Sequence, residues 1–550
     1  MRLDFTNYSA EIGGDSVSIF LNGRRYAVLK AASMLDTPES EDAGGALSGP
    51  EIVRGDGWVD ATWRGSSELW SEKTFHWRFS DGIIEYKAGF TGEHAIKALR
   101  YFDGGKVGGS YCDFSRFLNP DCALLDQRHY LSIQYGCIDA SSGQMSDYAR
   151  DGLANCHWIF TPPPFCYSLG FSDGPWIGAG IAPERGQYSF TRFEYSPSPW
   201  DFRFRLTYEG MTRSGGAWES PTFLFCPAES DYAALEAYCG VLRERGFVNE
   251  NRHIRADWWS KPIFCGWGEQ NVTAAREGGG GSTYAAQVYY DRFLAIIREK
   301  RLKPGTMVID DKWQKHYGTF EVDTTKWPDL RGWIDERHAE GLRVLLWFGA
   351  WNPEGLPEDE TIRNADGVVC ADPTSPAYQE RIREYMHRML SSDAGCYNAD
   401  GIKYDWTNGI PVTEGYSVHG DAWGIELLKS LTQQVYDAGK AAKPDALIIT
   451  HTANPYFAEC ADMIRLNDIF IGCREVASMM THRQKIARIA CPHALIDCDN
   501  SSAPNHTEWL EFTRMQPELG VPSLYFLTGF DGSSERITDD DWEILAPIWR

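Results

Sequence analysis

The chain predicts an α/β protein, a (β/α)8 TIM barrel preceded by an N-terminal β-sandwich. Three observations carry that reading. From about residue 260 onward, eight short apolar runs alternate with helical stretches, the pattern of strand and crossover helix that closes into a barrel. Residues 1 to about 230 alternate apolar and polar with a period of two, are broken by Gly, Pro and Ser, and hold no long helical period. Between the two, the period turns helical. The expected division is a sandwich over 1–230, a linker helix within 231–255 and a barrel over 256–550.

The elements follow in order. Ser16 to Leu29 holds two apolar runs around Asn22-Gly23, a hairpin signal because both residues tolerate positive φ. Phe202, Phe204, Leu206 and Tyr208 alternate with polar neighbours, as a half-buried strand does. Asp231 to Phe247 carries Leu235, Tyr238 and Leu242 at helical spacing and ends at Gly246. The eight barrel runs are Pro262–Trp267, Thr306–Ile309, Arg343–Phe348, Gly401–Tyr404, Ala446–Thr450, Asp462–Leu466, His493–Ile496 and Val521–Leu527. Helices are expected over Tyr284–Lys300, Pro328–Glu340, Ser375–Leu390, Trp423–Tyr436, Arg474–Ala490 and Thr507–Leu519. Thr538, ahead of three Asp residues, starts a last helix. The fifth unit is the weakest, since only a short segment separates two strands. The competing architecture is a doubly wound open sheet, against which no G-x-G-x-x-G follows any strand. The glycine run Glu277–Ser282 lacks a following G-K-[ST] and reads as a mobile loop over the barrel mouth.

Bulk properties exclude several function classes. A net charge of −24 with no Lys/Arg-rich run argues against nucleic acid and anionic membranes as partners. No stretch of about 18 apolar residues exists to span a bilayer. The 14 Cys are scattered without C-x-x-C pairs or a Cys/His zinc spacing, and His451, His493 and His506 lack ligand spacing, so no metal site is expected. The N-terminus has no apolar signal region, and the thiols read as free. Both point to a cytoplasmic protein. The oligomeric state is open, a homo-oligomer included. The 21 Trp supply indole faces of the kind that pack on pyranose rings.

Barrel chemistry sits at the C-terminal ends of the strands. Those ends bring Trp267 and Glu269, then Asp310, Asp311 and Trp313, then Trp347 and Trp351, then Lys403, Asp405 and Trp406. Thr450 and His451, Arg465 and Asp468, Asp497 and Asp499, and Thr528 and Asp531 complete the ring. Glycoside hydrolysis needs two carboxyl groups across the scissile bond. Asp405 and Asp468, at strand ends four and six, are the expected pair. Lys403 would keep Asp405 ionised, and Arg465 would tune Asp468 or hold a hydroxyl. Asp462, Asp497 and Asp499 are alternative acids.

The same segments carry a family resemblance. Ile309-Asp310-Asp311-Lys312-Trp313 resembles the D-D-G-W motif of glycoside hydrolase family 36, with Lys312 in place of Gly. Thr319-Phe320 through Trp327-Pro328-Asp329 to His338, Gly341 and Trp347, and also Asp372–Pro376, resemble shared blocks of the clan. Lys403-Tyr404-Asp405 resembles the K-x-D nucleophile motif of families 27 and 36, and Arg465–Asp468 an R-x-x-D acid/base motif. Gly529–Gly532 resembles a family 31 segment. Residues 255–550 therefore resemble the retaining α-glycosidase clan of families 27, 31 and 36, closest to family 36.

That resemblance implies a retaining exo-α-glycosidase, α-galactosidase-like, working without a cofactor on an oligosaccharide or other α-glycoside. It implies Asp405 as nucleophile and Asp468 as acid/base. It places Asp310 and Asp311 on sugar hydroxyls, with Trp313, Trp347, Lys403, Trp406 and Arg465 completing the pocket. Two departures stand out. Thr450–Asn454 replaces the Cys/Gly-rich segment of family 36, and no C-terminal β-domain follows the barrel within the sequence. An α-glucosidase or other family 31-type specificity, a transglycosylase, and a carbohydrate-binding protein on an inactive barrel are the alternatives.

Overall fold

The computed structural model describes residues 1–107, 110–111, 116–117, 137–139, 144–146, 162, 164–170, 175–197, 202–250, 255–407, 409–411, 415–468, 476–501, 503 and 505–550. The N-terminal part is antiparallel β. The hairpin expected at Asn22-Gly23 joins Ser16–Leu21 to Arg24–Lys30, and both turn residues have positive φ, 50° and 74°. These strands belong to a five-stranded sheet; a four-stranded sheet, an eight-stranded sheet and two two-stranded sheets complete the N-terminal β-structure among the described residues. Inward aromatics from different sheets fill the space between them. Phe204 and Phe223 meet edge-to-face with centroids 5.0 Å apart, and Phe102 lies 5.0 Å from Phe223. Each such ring stabilises the fold by roughly 1.5–3 kcal/mol through removal from water.

The linker helix α1 spans Asp231–Glu244. Ser230 caps it by accepting from Ala233 N, and Asp231 adds favourable charge in the first turn. Its buried face of Ala234, Leu235, Tyr238, Cys239 and Leu242 packs on the strand Trp176–Ala182. That strand carries glycine where the helix comes closest. A Cβ at Gly178 would stand 2.5 Å from Ala234 O. Gly178→Ala is therefore expected to destabilise the protein by about 1–3 kcal/mol, read as a lower denaturation midpoint at unchanged m-value.

The barrel closes completely. Its strands are Ile263–Cys265, Thr306–Ile309, Arg343–Gly349, Gly401–Asp405, Leu447–Thr450, Met463–Arg465, Leu495–Asp497 and Ser523–Leu524, one at each expected run. All neighbouring pairs are parallel, and the first strand pairs with the eighth. The Asp497–Val521 bridge joins the seventh to the eighth, with Val521 N donating to Ile496 O at 2.8 Å. Closure removes the open-sheet alternative.

Helices follow most strands: α2 Trp267–Glu277, α3 Gln287–Glu299, α4 Leu330–Ala339, α5 Pro376–Leu390, α6 Ile425–Ala442, α7 Val476–Ala490, α8 His506–Leu519 and α9 Asp539–Ile544. The two residues expected to open α7, Arg474 and Glu475, lie outside the described residues. Ser375 caps α5 ahead of Pro376, and Thr538 with Asp541 forms a capping box on α9. The fifth unit has a 3₁₀ turn, Pro455–Cys460, in place of a helix. The glycine run is pinned rather than open: Gln270 Nε2 donates to Gly281 O at 3.1 Å and Tyr284 OH to Gly278 O at 2.6 Å.

The sandwich reaches the barrel at α6. That helix starts at Gly424 with no side-chain cap, and its first amides donate to sandwich carbonyls, Ile425 N to Phe190 O and Glu426 N to Tyr188 O. Tyr188 also packs on Tyr456 of the 3₁₀ turn, 5.5 Å between centroids. The segment after the fifth strand is thus braced from the N-terminal side. No helix among the described residues is long and apolar enough to cross a membrane. Nine cysteines among the described residues are free and buried.

Candidate active site

The fourth strand, Gly401–Asp405, is buried throughout, and strand alternation sends Lys403 and Asp405 to the same face. Residues 347 and 349 of the third strand stand beside them in register. Gly349 is required there, since a Cβ would lie 2.5 Å from the Trp347 indole and 3.2 Å from that of Trp406. The space it leaves lets Trp347 lie across the end of the strand.

Asp405 sits at the centre of a hydrogen-bonded cluster. Trp347 Nε1 donates to its Oδ2 at 2.8 Å. His451 Nε2 lies 2.8 Å from Oδ1, Trp406 N donates to Oδ1 at 3.1 Å, and Arg465 Nη1 reaches it at 3.4 Å. Burial alone would raise this carboxyl, but Arg465, His451 and Lys403 together outweigh it and hold Asp405 far below the ordinary carboxylate range. The Asp405 side chain keeps 12% exposure, while those of His451 and Arg465 keep 0% and 2%. The carboxylate is the member of this cluster that faces outward.

Two buried ion pairs flank it. Lys403 Nζ donates to Asp310 Oδ2 at 2.6 Å, and the Cys265 thiol donates to the same oxygen at 3.0 Å. Lys403 therefore acts on Asp405 through space, and its charge favours the Asp405 anion as expected. Asp310 Oδ1 accepts from Asp311 N at 2.9 Å, so both oxygens of Asp310 are engaged. Arg465 pairs with Asp499 through Nε at 2.6 Å and Nη2 at 2.5 Å, and Tyr525 OH and Asn467 N complete the Asp499 shell.

The remaining residues line or back the mouth. Asp311 accepts from Tyr317 OH at 2.8 Å. Burial, against that hydrogen bond and with help from the Asp310 and Asp405 charges, pushes its carboxyl up to about 6. Tyr317 packs against Trp406 at 5.2 Å, and Trp406 meets Trp347 edge-on at 4.8 Å, so three aromatic rings form one wall beside Asp405. Trp406 holds a left-handed φ of 57°, a strained conformation of the kind that gathers at functional sites. Trp313 is fully enclosed, and its Nε1 donates to Trp347 O at 2.9 Å. It backs this wall and does not line the opening.

Asp468 is half-buried just past the sixth strand. Its Oδ1 accepts from Ser501 N at 2.7 Å. Burial and the nearby Asp499 raise its carboxyl, against Arg465. The other candidate acids are placed differently. Asp462 is bound by Lys440 at 2.6 Å, Tyr436 at 2.8 Å and Ile448 N at 2.9 Å. Asp499 is committed to Arg465. Asp497 is buried and raised by burial and by Asp499.

Sequence reasoning ranked His451 with the bland histidines, and passed over Tyr317 and Cys265. A lone His after a strand, a loop tyrosine and an isolated thiol carry no spacing signal. Glu269, named only as a strand-end residue, binds Leu527 N at 2.5 Å and Thr528 N at 2.8 Å and so ties the first barrel unit to the eighth.

No protein-family model and no curated protein matches the chain. Solved structures do. A GH31 family sulfoquinovosidase from E. rectale, in complex with an aza-sugar inhibitor, is similar at TM-score 0.59 and 11% identity over 98% of this chain and 82% of that one. An uncharacterized Listeria monocytogenes protein in complex with glucose is similar at 0.53 and 10% identity, over 99% of this chain and 53% of that one. A cycloalternan-forming enzyme from Listeria monocytogenes is similar at 0.51 and 10%, over 100% and 53%. The chain spans about half the length of the two Listeria proteins. At these identities the likeness establishes the fold, an eight-stranded barrel behind an N-terminal β-sandwich.

Proposed function

We propose that the chain is a retaining exo-α-glycosidase acting by double displacement, with Asp405 as nucleophile and Asp468 as acid/base. One observation carries this reading: the environments of the two carboxyls push their protonation in opposite directions. Asp405 is clamped as an anion by Trp347, His451 and Arg465, while burial beside Asp499 favours the protonated form of Asp468. A nucleophile that is always ionised and an acid that holds its proton are what the reaction requires. Asp405 attacks the anomeric carbon as Asp468 protonates the leaving oxygen. Water, deprotonated by Asp468, then cleaves the glycosyl-aspartate and restores the starting configuration.

Tyr317 and Trp406, with the buried Trp347 behind them, offer apolar surface to one face of the sugar. Asp311, with one oxygen on Tyr317, is the acceptor for a hydroxyl. Asp310, buried and ion-paired with Lys403, orients Lys403 and Asp311. The K-x-D and D-D motifs favour α-galactosides. A second reading keeps the mechanism and changes the sugar to an α-glucoside or another family 31-type substrate. The likeness to the GH31 sulfoquinovosidase favours it.

A panel of aryl α-galactosides, α-glucosides and α-N-acetylgalactosaminides tests the proposal, with turnover of at least one expected. No turnover of any would remove the α-galactosidase and α-glucosidase readings and leave another family 31-type substrate or a carbohydrate-binding protein on an inactive barrel. The pH profile adds a finer check. Asp311 gains its proton below about 6 and the hydroxyl then loses its charge-assisted acceptor. The value of kcat/KM is expected to fall toward tenfold per pH unit below about 6. In Asp311→Asn that acid limb should be absent, with a lower plateau.

A further inference from the structure

The Asp405 carboxylate is held asymmetrically. Oδ1 faces His451 Nε2 at 2.8 Å, Trp406 N at 3.1 Å and Arg465 Nη1 at 3.4 Å. Oδ2 receives Trp347 Nε1 at 2.8 Å. A carboxylate oxygen has two in-plane lone pairs. Among the described residues, those on Oδ1 are taken by its donors, whereas Oδ2, with Trp347 alone, keeps one to offer. The donors on Oδ1 are not equivalent. The backbone amide of Trp406 is fixed by the chain, and Arg465 spends Nε and Nη2 on Asp499. His451 supplies the short contact from a side chain.

His451 Nε2 stands 2.8 Å from the ionised Oδ1 and 2.6 Å from Arg465 Nη1, and it can donate to the first or accept from the second but not both; a clamp on Oδ1 requires the Nε2–H form. A second positive charge on the imidazole would face that guanidinium, and burial opposes it as well. The ring is therefore neutral, with its pKa held down at about 4.

We propose that His451 is a positioning residue of the double displacement: its Nε2–H clamps Oδ1 and so reserves Oδ2 as the oxygen that attacks the anomeric carbon. The proposal rests on the reading of Asp405 as nucleophile. In the first step the free pair of Oδ2 forms the new C–O bond. The glycosidic C–O pair leaves on the aglycone oxygen, which takes the proton of Asp468. Asp405 becomes an ester whose carbonyl oxygen is Oδ1, still accepting from His451. In the second step water oxygen attacks the anomeric carbon and gives a proton to Asp468, and the ester C–O pair returns to the Asp405 carboxylate. As that charge reappears it spreads onto Oδ1, where His451 and Arg465 already point. The His451 proton never leaves Nε2.

The test compares His451→Leu with His451→Gln, whose amide nitrogen can reach the place of Nε2. His451→Leu is expected to lower kcat about 100-fold with KM nearly unchanged, the size of losing one donor to a developing charge. His451→Gln is expected to stay within tenfold of the wild type. Unchanged kcat in His451→Leu would overturn the proposal, as would equal losses in two folded variants. Should either variant fail to fold, ¹⁵N-histidine NMR of the wild-type protein decides. The His451 signal should be that of the neutral Nε2–H tautomer down to about pH 5, and an Nδ1–H tautomer or an imidazolium at neutral pH would overturn it. Asp405→Gly with azide is run alongside. If no glycosyl azide forms there, the glycosidase reading itself has failed. If it forms while His451→Leu keeps full kcat, only the role of His451 falls.

Discussion

Asp405→Gly is expected to lose turnover by roughly 10⁴-fold or more, the scale on which removal of a nucleophile is felt, while remaining folded. The charge arrangement supports both halves of that expectation. Lys403 is paired with Asp310 and Arg465 with Asp499, each pair complete in itself. Asp405 is the additional anion, held by a second arm of Arg465 together with His451, Trp347 and the Trp406 amide. Removing it leaves a matched buried network and opens room beside Trp347. Melting at neutral pH should shift downward while staying cooperative, because a carboxyl whose folded pKa lies far below its unfolded value contributes stability above that unfolded value. The chemistry should be lost because no other carboxylate takes the same place. Azide can enter the vacated space and attack the anomeric carbon from the side Asp405 occupied. With an activated aryl α-glycoside, the product should be the β-glycosyl azide, identified by its anomeric proton coupling. Undiminished activity without azide would remove Asp405 from the mechanism.

The same arithmetic gives the site a physical purpose. A glycosyl transition state carries positive charge at the anomeric carbon and ring oxygen. A buried carboxylate fixed in place before the substrate arrives, as Asp405 is, stabilises that charge without reorganising. The aromatic wall of Tyr317, Trp406 and Trp347 keeps water from screening it. Lys403 contributes by holding Asp310 and by its field, not by touching Asp405. The K-x-D spacing therefore marks two groups that point the same way from one strand and bind different partners.

How far this was legible in the sequence differs by level. The barrel was, because each strand is a short apolar run with abrupt polar ends, and Thr306–Ile309 has the same bounds in both readings. Helix α2 was missed because its buried face is Gly268, Glu269, Gln270 and Val272, which shows no apolar stripe. Burying Glu269 makes sense only beside the amides of Leu527 and Thr528, some 260 residues away. The hairpin Thr361–Asn364 to Gly367–Ala371 was likewise hidden in a polar stretch. At the site, strand-end position pointed to Asp405, Trp347 and Arg465, which the structure brings together. It could not assign partners, because pairing across a barrel depends on which layer each side chain occupies. Lys403 reaches Asp310 from two strands away, and His451 finds Asp405 from the neighbouring strand end. Trp313 was expected to complete the pocket because its segment resembles the D-D-G-W motif, yet the chain turns its ring behind Trp347.

The second large effect concerns the acid. Asp468→Ala is expected to lower kcat/KM by ~10³-fold or more on substrates with poor leaving groups, such as natural glycosides, and far less on a dinitrophenyl glycoside. A poor leaving oxygen needs its proton in the transition state, whereas dinitrophenolate departs without one. The alkaline limb of the pH profile should vanish in the variant, because Asp468, raised by burial and Asp499, is the group whose proton is lost there. Azide should rescue this variant too, but with the opposite stereochemistry. Asp405 still forms the β-linked intermediate, azide displaces it from the vacated face, and the product is the α-glycosyl azide. The pair of azide products, β from Asp405→Gly and α from Asp468→Ala, assigns the two carboxyls without reference to any substrate preference. Asp531 is the structural competitor, since it stands near enough for the Asp468 charge to raise it and is itself raised by burial. Loss in Asp531→Ala with leaving-group dependence, and none in Asp468→Ala, would move the acid to the loop after the eighth strand.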